Sequence, residues 1–305
     1  MKQPLTSFYH YFAVCIATVL WGVNIVSLKL LVTSFSPVTM TAFRILTAGL
    51  FLAGILLLNR KNKRLTRSEW YFILSGGALG VFAHHLFLSI GLTTINASTA
   101  VLILGLVPVV TAICSHIFLR ESFSLWNVIG ISLAFIGVLF VQGGVMEMTT
   151  GTMYLLVAVV VQAVSFLFVR KASETVSSIQ ITAYTLIAGA IMLFLTSMVM
   201  EPSGVHSMLV GNISLYSIFL FSAIASTACG QLLFNVSIRH VGPSKSALFL
   251  NFVPFFGLVF SYFLLNEVIY WYQWCGFVLI VSGVLFGTGY IEKVWFKSKR
   301  VKRMA

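Results

Sequence analysis

The chain has 305 residues, of which 59% are hydrophobic and only 9% charged. Soluble domains carry roughly 25% charged residues, so this composition excludes a water-soluble globular fold: too few polar groups exist to cover its surface. The formal net charge of +12 invites a nucleic-acid reading, but the basic residues cluster between apolar runs, and nucleic acid is excluded as a partner.

Ten apolar runs approach the roughly 20 residues that a bilayer-crossing helix needs. They lie at 11–32, 38–58, 70–91, 97–119, 125–143, 152–170, 180–200, 214–236, 243–265 and 270–290. The first is not a signal peptide: it is too long for an h-region, contains Lys29, and is followed by no small-residue cleavage site. After the second come Arg60, Lys61, Lys63, Arg64 and Arg67. Arg120 ends the fourth, Arg170 and Lys171 follow the sixth, and Arg239 and Lys245 flank the loop before the ninth. Lys293, Lys297, Lys299, Arg300, Lys302 and Arg303 close the chain. With an even span count and Lys2 inside, 17 of the 19 Lys and Arg residues fall on one side. That asymmetry predicts a multi-pass cell-membrane protein with both termini cytoplasmic. Its basic tail is placed to meet anionic lipid headgroups. Cys15, Cys114, Cys229 and Cys275 all lie inside spans with no metal-ligand spacing, and read as small apolar residues.

The chain repeats itself. A shift of 146 lays 98–140 on 244–286 with 14 identities in 43 positions. Pro108 falls on Pro254, Glu121 on Glu267, Gly130 on Gly276 and Gly137 on Gly283. Earlier in each half the shift is 141, pairing Trp21 with Gln162, Asn24 with Ser165 and Lys29 with Arg170. The difference is absorbed before spans three and eight. Each half then holds five spans, and an odd number threads the second half upside down. The expected fold is all-α: ten transmembrane helices in two inverted five-helix repeats, 1–146 and 147–305, with a binding site near the midplane.

Polar groups inside spans are costly and face the bundle interior. Lys29 and Arg44 lie nearer the outer side; they either snorkel to headgroups or form a basic ring for an anionic or zwitterionic solute. Gly76, Gly80 and His84 share a helix stripe. His84, about 21 Å into its span by helix rise, therefore sits at a helix contact or a cavity edge, with His85 turned about 100° away. The chain has no Asp, and every Glu falls at a helix end or in a loop. A histidine is then the only deep group that titrates near neutral pH, and His84 is the expected carrier of any coupled proton. Trp21 is mid-span, and Asn24 shares its face. With His84, Gln231 and Asn251 these residues are expected either to line a substrate cavity, which would suit an uncharged or zwitterionic solute, or to glue helices together. Gln162 and Asn235 are further uncharged candidates. Pro108 and Pro254, each eleven residues into a span, remove a backbone bond and are expected to free the carbonyls of Leu104 and Leu250. They act as passive kinks or as hinges beside a ligand. Glu121 and Glu267 are expected to cap the helices that follow them.

These residues carry a family resemblance. Trp21-Gly22-Val23-Asn24 through Lys29, Arg44, Asn96 through Pro108, Leu119-Arg120-Glu121, Trp126 through Gly130, and Gly137 match the EamA-type branch of the drug/metabolite transporter superfamily. Pro243 through Ser246, Pro254, Glu267, Trp274 and Gly276 repeat the pattern. Gln162, where the first half has Trp21, departs from it. The resemblance covers nearly the whole chain. It implies two EamA domains and efflux of a small metabolite, amino-acid-like or drug-like, by alternating access, with no cofactor. It does not specify the solute or the oligomeric state. The chain contains no HExxH, P-loop or nucleophile elbow, so an enzyme is not expected. A channel or facilitator, and behind it an intramembrane lipid-modifying enzyme using His84, are the competing readings.

Overall fold

The computed structural model describes residues 4–58, 62–119, 125–141, 143, 149–241, 249–250 and 252–287. Asn251, Glu121, Arg60, Lys61 and the basic tail from 288 onward lie outside the described residues. The described chain is helical and polytopic. Long apolar stretches leave the backbone one way to satisfy its N–H and C=O groups in hydrocarbon, by bonding within each segment.

Seven helical segments are long and apolar enough to cross a membrane: Phe12–Ser34, Pro37–Leu58, Arg67–Thr94, Ala97–Phe118, Thr150–Ala172, Ser178–Met200 and Ile213–Val236. Shorter apolar helices occur at Leu125–Val141, Phe252–Leu265 and Trp271–Phe286, each bordering residues outside the described set. In chain order the elements are α1 (Pro4–Ser34), α2 (Pro37–Leu58), α3 (Arg67–Gly77), a π-helical segment π1 (Ala78–Ala83) and α4 (His84–Thr94). Next come α5 (Ala97–Leu104), α6 (Val107–Leu119), α7 (Leu125–Val141), α8 (Thr150–Ala172) and α9 (Ser178–Met200). The short α10 (Gly204–Ser207), α11 (Ile213–Leu220), a second π-helical segment π2 (Phe221–Gly230), α12 (Gln231–Val241), α13 (Phe252–Leu265) and α14 (Trp271–Gly287) complete the order. The 146-residue shift carries 78–83 onto 224–229, inside π2. The third and eighth spans are thus interrupted by π turns at matching places, a feature that often marks a functional site.

The packing follows the same correspondence. α2 lies along α9, and α7 along α14. α1 packs on α12, π2 and α13, while α8 packs on α3, π1, α5 and α6. In lipid there is no hydrophobic force between helices, so close backbone approach has to supply the attraction. The repeated glycines provide it at the α7–α14 seam. A Cβ on Gly283 would stand 2.6 Å from Ala134 N and Gly130 O. One on Gly276 would stand 2.7 Å from Gly137 O. Large apolar side chains such as Leu57, Leu58, Val199 and Trp271 remain exposed on the outside of the bundle, where lipid covers them.

Carboxylates stitch the helix ends. Glu201 accepts from the Val38 and Thr39 amides at 3.0 and 2.7 Å and from the Thr39 hydroxyl at 2.8 Å, capping α2. Glu267 accepts from the Ala97 and Ser98 amides at 2.9 and 3.0 Å. It is a cap, but of α5 in the other half rather than of the helix that follows it. Sequence spacing sees only the neighbour along the chain, whereas the carboxylate fills orphan N–H groups brought to it by packing. Thr66 and Glu69 form a reciprocal capping box at the start of α3, reinforced by Lys63 Nζ and Thr175 Oγ1 donating to Glu69 at 2.7 and 2.6 Å.

Candidate functional site

The first-span residues are fastened to π2. Trp21 Nε1 donates to Ser226 O at 3.1 Å, and its ring packs 5.1 Å from that of Phe234. Ser226 Oγ returns a bond to Leu20 O at 3.0 Å. Ser222 Oγ donates to Asn24 Oδ1 at 2.5 Å. Thr227 Oγ1 donates to Ser222 O at 2.8 Å, five residues back. In an α-helix a hydroxyl reaches three or four residues back; the wider π turn sets Thr227 over Ser222 instead.

Thr227 Oγ1 in turn accepts from Arg44 Nη1 at 2.6 Å. Arg44 Nη2 lies 3.4 Å from His85 Nδ1. Guanidinium only donates, so this contact puts the acceptor lone pair on His85 Nδ1. The His85 ring stands edge-on to His84, centroids 4.9 Å apart, and His84 Nδ1 donates to Ala158 O on α8 at 3.0 Å. Asn24, Ser222, Thr227, Arg44, His85 and His84 thereby form a polar chain through the bundle, from α1 through π2, α2 and α4 to α8. It crosses between the two halves of the sequence.

Two readings of the basic residues are overturned. Lys29 does not snorkel: Nζ donates to Leu92 O and Ile95 O, both at 2.7 Å, satisfying the carbonyls at the end of α4. Arg44 is 0% exposed and so neither snorkels nor lines an open ring. Its Nε has no hydrogen-bond partner, and neither does the buried Thr41 Oγ1 three residues before it. Among the described residues no carboxylate reaches it.

His84 continues the Gly76–Gly80 stripe onto α8. A Cβ on Gly80 would collide with Ser165 Oγ, and one on Gly76 would meet Val169 at 3.2 Å. His84 therefore lies at a helix contact, and among the described residues it is joined to Asn24 through His85, Arg44, Thr227 and Ser222. Gln231 forms a separate group: Nε2 donates to Asn235 Oδ1 at 3.4 Å, and Asn235 Nδ2 to Thr182 Oγ1 on α9 at 2.7 Å. The structure thus links Asn24 to His84 along one network, fastens Trp21 beside it at Ser226 of π2, sets Gln231 apart, and does not describe Asn251. Spacing missed Ser222, Ser226 and Thr227, because hydroxyls in an apolar helix normally bond their own backbone. Their density in Phe221–Gly230 was the available signal.

The prolines mark real interruptions. The fourth span breaks at Gly105 and Leu106, between α5 and α6. Gly105 N bonds Leu102 O and Val101 O, both at 3.1 Å. In the second half Val253 N donates to Leu250 O at 3.0 Å. The Leu250 carbonyl is therefore not freed by Pro254; a tighter 3₁₀-type turn takes up the bond. The two breaks touch, since a Cβ on Gly105 would stand 3.1 Å from Pro254 Cγ.

A sequence model of the EamA-like transporter family matches the chain twice, over residues 9–142 and 149–288. The "Uncharacterized transporter YyaM" of Bacillus subtilis (strain 168) is 29% identical over 281 residues, 89% of this chain and 90% of that protein. An "S-adenosylmethionine/S-adenosylhomocysteine transporter" of Chlamydia muridarum is 25% identical over 275 residues, covering 84% of each. A solved structure titled "Crystal structure of protein" superposes with a TM-score of 0.69 at 16% identity, over 94% of this chain and 98% of that one. At that identity the likeness concerns the fold.

Proposed function

We propose that this chain, which belongs to the EamA-like transporter family, is a secondary transporter moving a small amino-acid-like or drug-like solute by alternating access. The two halves, 1–146 and 147–305, act as inverted five-helix repeats with both termini cytoplasmic. The observation that carries this reading is the polar chain between the halves, from Asn24 through Ser222, Thr227 and Arg44 to His85 and His84. Polar groups of that depth are costly in lipid and are retained where a polar solute passes. The matching π turns and the touching helix breaks at Gly105 and Pro254 support a site at the junction of the halves.

In this reading Trp21, Asn24, His84, Gln231 and Asn251 contribute to the solute's path. Pro108 and Pro254 let the broken helices bend as the halves rock. The two states then differ by only a few kcal/mol. The relatives named as transporters of S-adenosylmethionine and S-adenosylhomocysteine, both amino-acid derivatives, favour an amino-acid-like solute. The direction proposed is efflux.

The test compares metabolites in the medium of cells that overexpress the protein and cells that lack it. Any solute found is then offered to proteoliposomes. Stimulation of uptake by preloaded solute is the expected result. Uptake indifferent to preloading identifies a channel, and covalent conversion of the solute identifies an enzyme.

A further inference from the structure

Arg44 is a cation held wholly inside the bundle, 0% exposed, with no carboxylate partner among the described residues and no Asp anywhere in the chain. A buried charge is retained when it is paired, yet its contacts here are neutral: the Thr227 hydroxyl and His85 Nδ1. The geometry of those contacts is uneven. The end of the fork is occupied by the 2.6 Å bond from Nη1. The side edge, formed by Nε and Nη2, carries no bond at Nε and only a 3.4 Å contact at Nη2. That contact exceeds the 2.7–3.2 Å range of well-formed N–H hydrogen bonds. A guanidinium edge with two parallel N–H groups matches the two oxygens of a carboxylate. One helical turn back, on the same face of α2, Thr41 Oγ1 is buried and equally without a partner, a further unused donor on that face.

We propose that the side edge of Arg44, with Thr41, is the subsite that grips a carboxylate of the transported solute, so that the substrate class is a small carboxylic acid carrying one negative group, free or within a zwitterion. This rests on the transporter reading and sharpens it. Three features support a single negative charge. Arg44 is the one cation in the network; Lys29 is committed to two carbonyls at the end of α4; and Asn24, Ser222 and Thr227 are neutral. A phosphate dianion would leave charge unmatched there. In this structure the subsite is closed, and Thr227 and His85 hold the guanidinium. When α4 draws His85 away from Nη2, the carboxylate takes the free edge without displacing the Thr227 bond. The half-related position, Thr185 by the 141-residue shift, bonds its own backbone at Ile181 O and Thr182 O, so only one half supplies an anchor.

The test uses full-length protein purified in detergent, with L-amino acids and small hydroxy acids as probes, each beside its carboxamide. The readout is the thermal unfolding midpoint. At least one acid is expected to raise the midpoint of the wild type while its amide does not. Arg44→Gln is expected to weaken binding of that acid about 100-fold, as when one partner of a buried charge pair is removed. Arg44→Lys, which keeps the charge but not the fork, retains part of the shift, and Thr41→Val loses about tenfold through one missing hydrogen bond. Amides that stabilise as well as acids, a full shift in Arg44→Gln, or a panel in which no acid shifts the wild type would each overturn the proposal. If Arg44→Gln does not fold, the acid–amide contrast in wild type and Arg44→Lys still decides. Counterflow of an uncharged solute, equal in wild type and Arg44→Lys, would overturn the anchor and leave the transporter reading standing. Absence of counterflow for an acid that binds through Arg44 would do the reverse.

Discussion

Replacing Glu267 by Gln isolates one stitch between the halves. Asn96 occupies the N-cap of α5 but makes no side-chain cap bond. The orphan amides of Ala97 and Ser98 are met instead by the two oxygens of Glu267, at 2.9 and 3.0 Å. Glutamine keeps one acceptor and turns an NH2 toward the other amide, so one charge-assisted bond is lost. Such bonds contribute about 1.5–3 kcal/mol, and the lost charge at a helix N-terminus about 0.3–1 kcal/mol. Glu267 is partly accessible, which places the expected cost toward the lower end, about 2 kcal/mol. Asn96→Ala removes a side chain with no capping role and is expected to cost well under 1 kcal/mol. Both variants are to be measured by thermal unfolding in detergent and by abundance in the membrane. Solute export is then normalised to abundance. Glu267→Gln should lower the midpoint and the abundance while leaving export per molecule near wild type. An Asn96→Ala variant as unstable as Glu267→Gln would refute the capping argument. Normal abundance with abolished export would show that the carboxylate serves transport itself.

Gly283→Ala forces a Cβ against Ala134 N at 2.6 Å and should cost about 1–3 kcal/mol by overpacking the α7–α14 seam. Gly54→Ala, with nothing within 4 Å, should be neutral or slightly stabilising in the same unfolding assay. Thr66→Ala breaks the capping box of α3 and should cost about 1 kcal/mol, read as lower yield of folded protein on size exclusion. In a cysteine-free background, cysteines placed at 144–151 and 201–213 should react with an impermeant thiol reagent in intact cells. One placed at 59–69 should not; labelling there would reverse the proposed orientation. His84→Gln keeps a donor for Ala158 O and should leave abundance unchanged while flattening the pH dependence of transport; an unaltered profile would remove His84 from any proton coupling.

The sequence by itself determined that the chain lives in a bilayer, roughly where its helices run, and that its two halves correspond. These properties depend on composition and periodicity, which are local and survive without knowledge of what packs on what. The repeated glycines were legible as a pattern, and the prolines as breaks in the fourth and ninth spans. Their partners were not. That Glu267 caps a helix in the other half, that Lys29 closes the end of α4, and that the Leu250 carbonyl finds Val253 all depend on which donor meets which acceptor. In a membrane interior that choice is made by packing, since no water stands ready to satisfy an unpaired group. Arg44 shows the same division most sharply. Its distance from the span end suggested a side chain reaching outward; in the folded bundle it is wholly buried, held by Thr227 of π2 and His85 of α4. The π turn at Phe221–Gly230, invisible in the pattern of apolar residues, sets Thr227 at the right height to hold it.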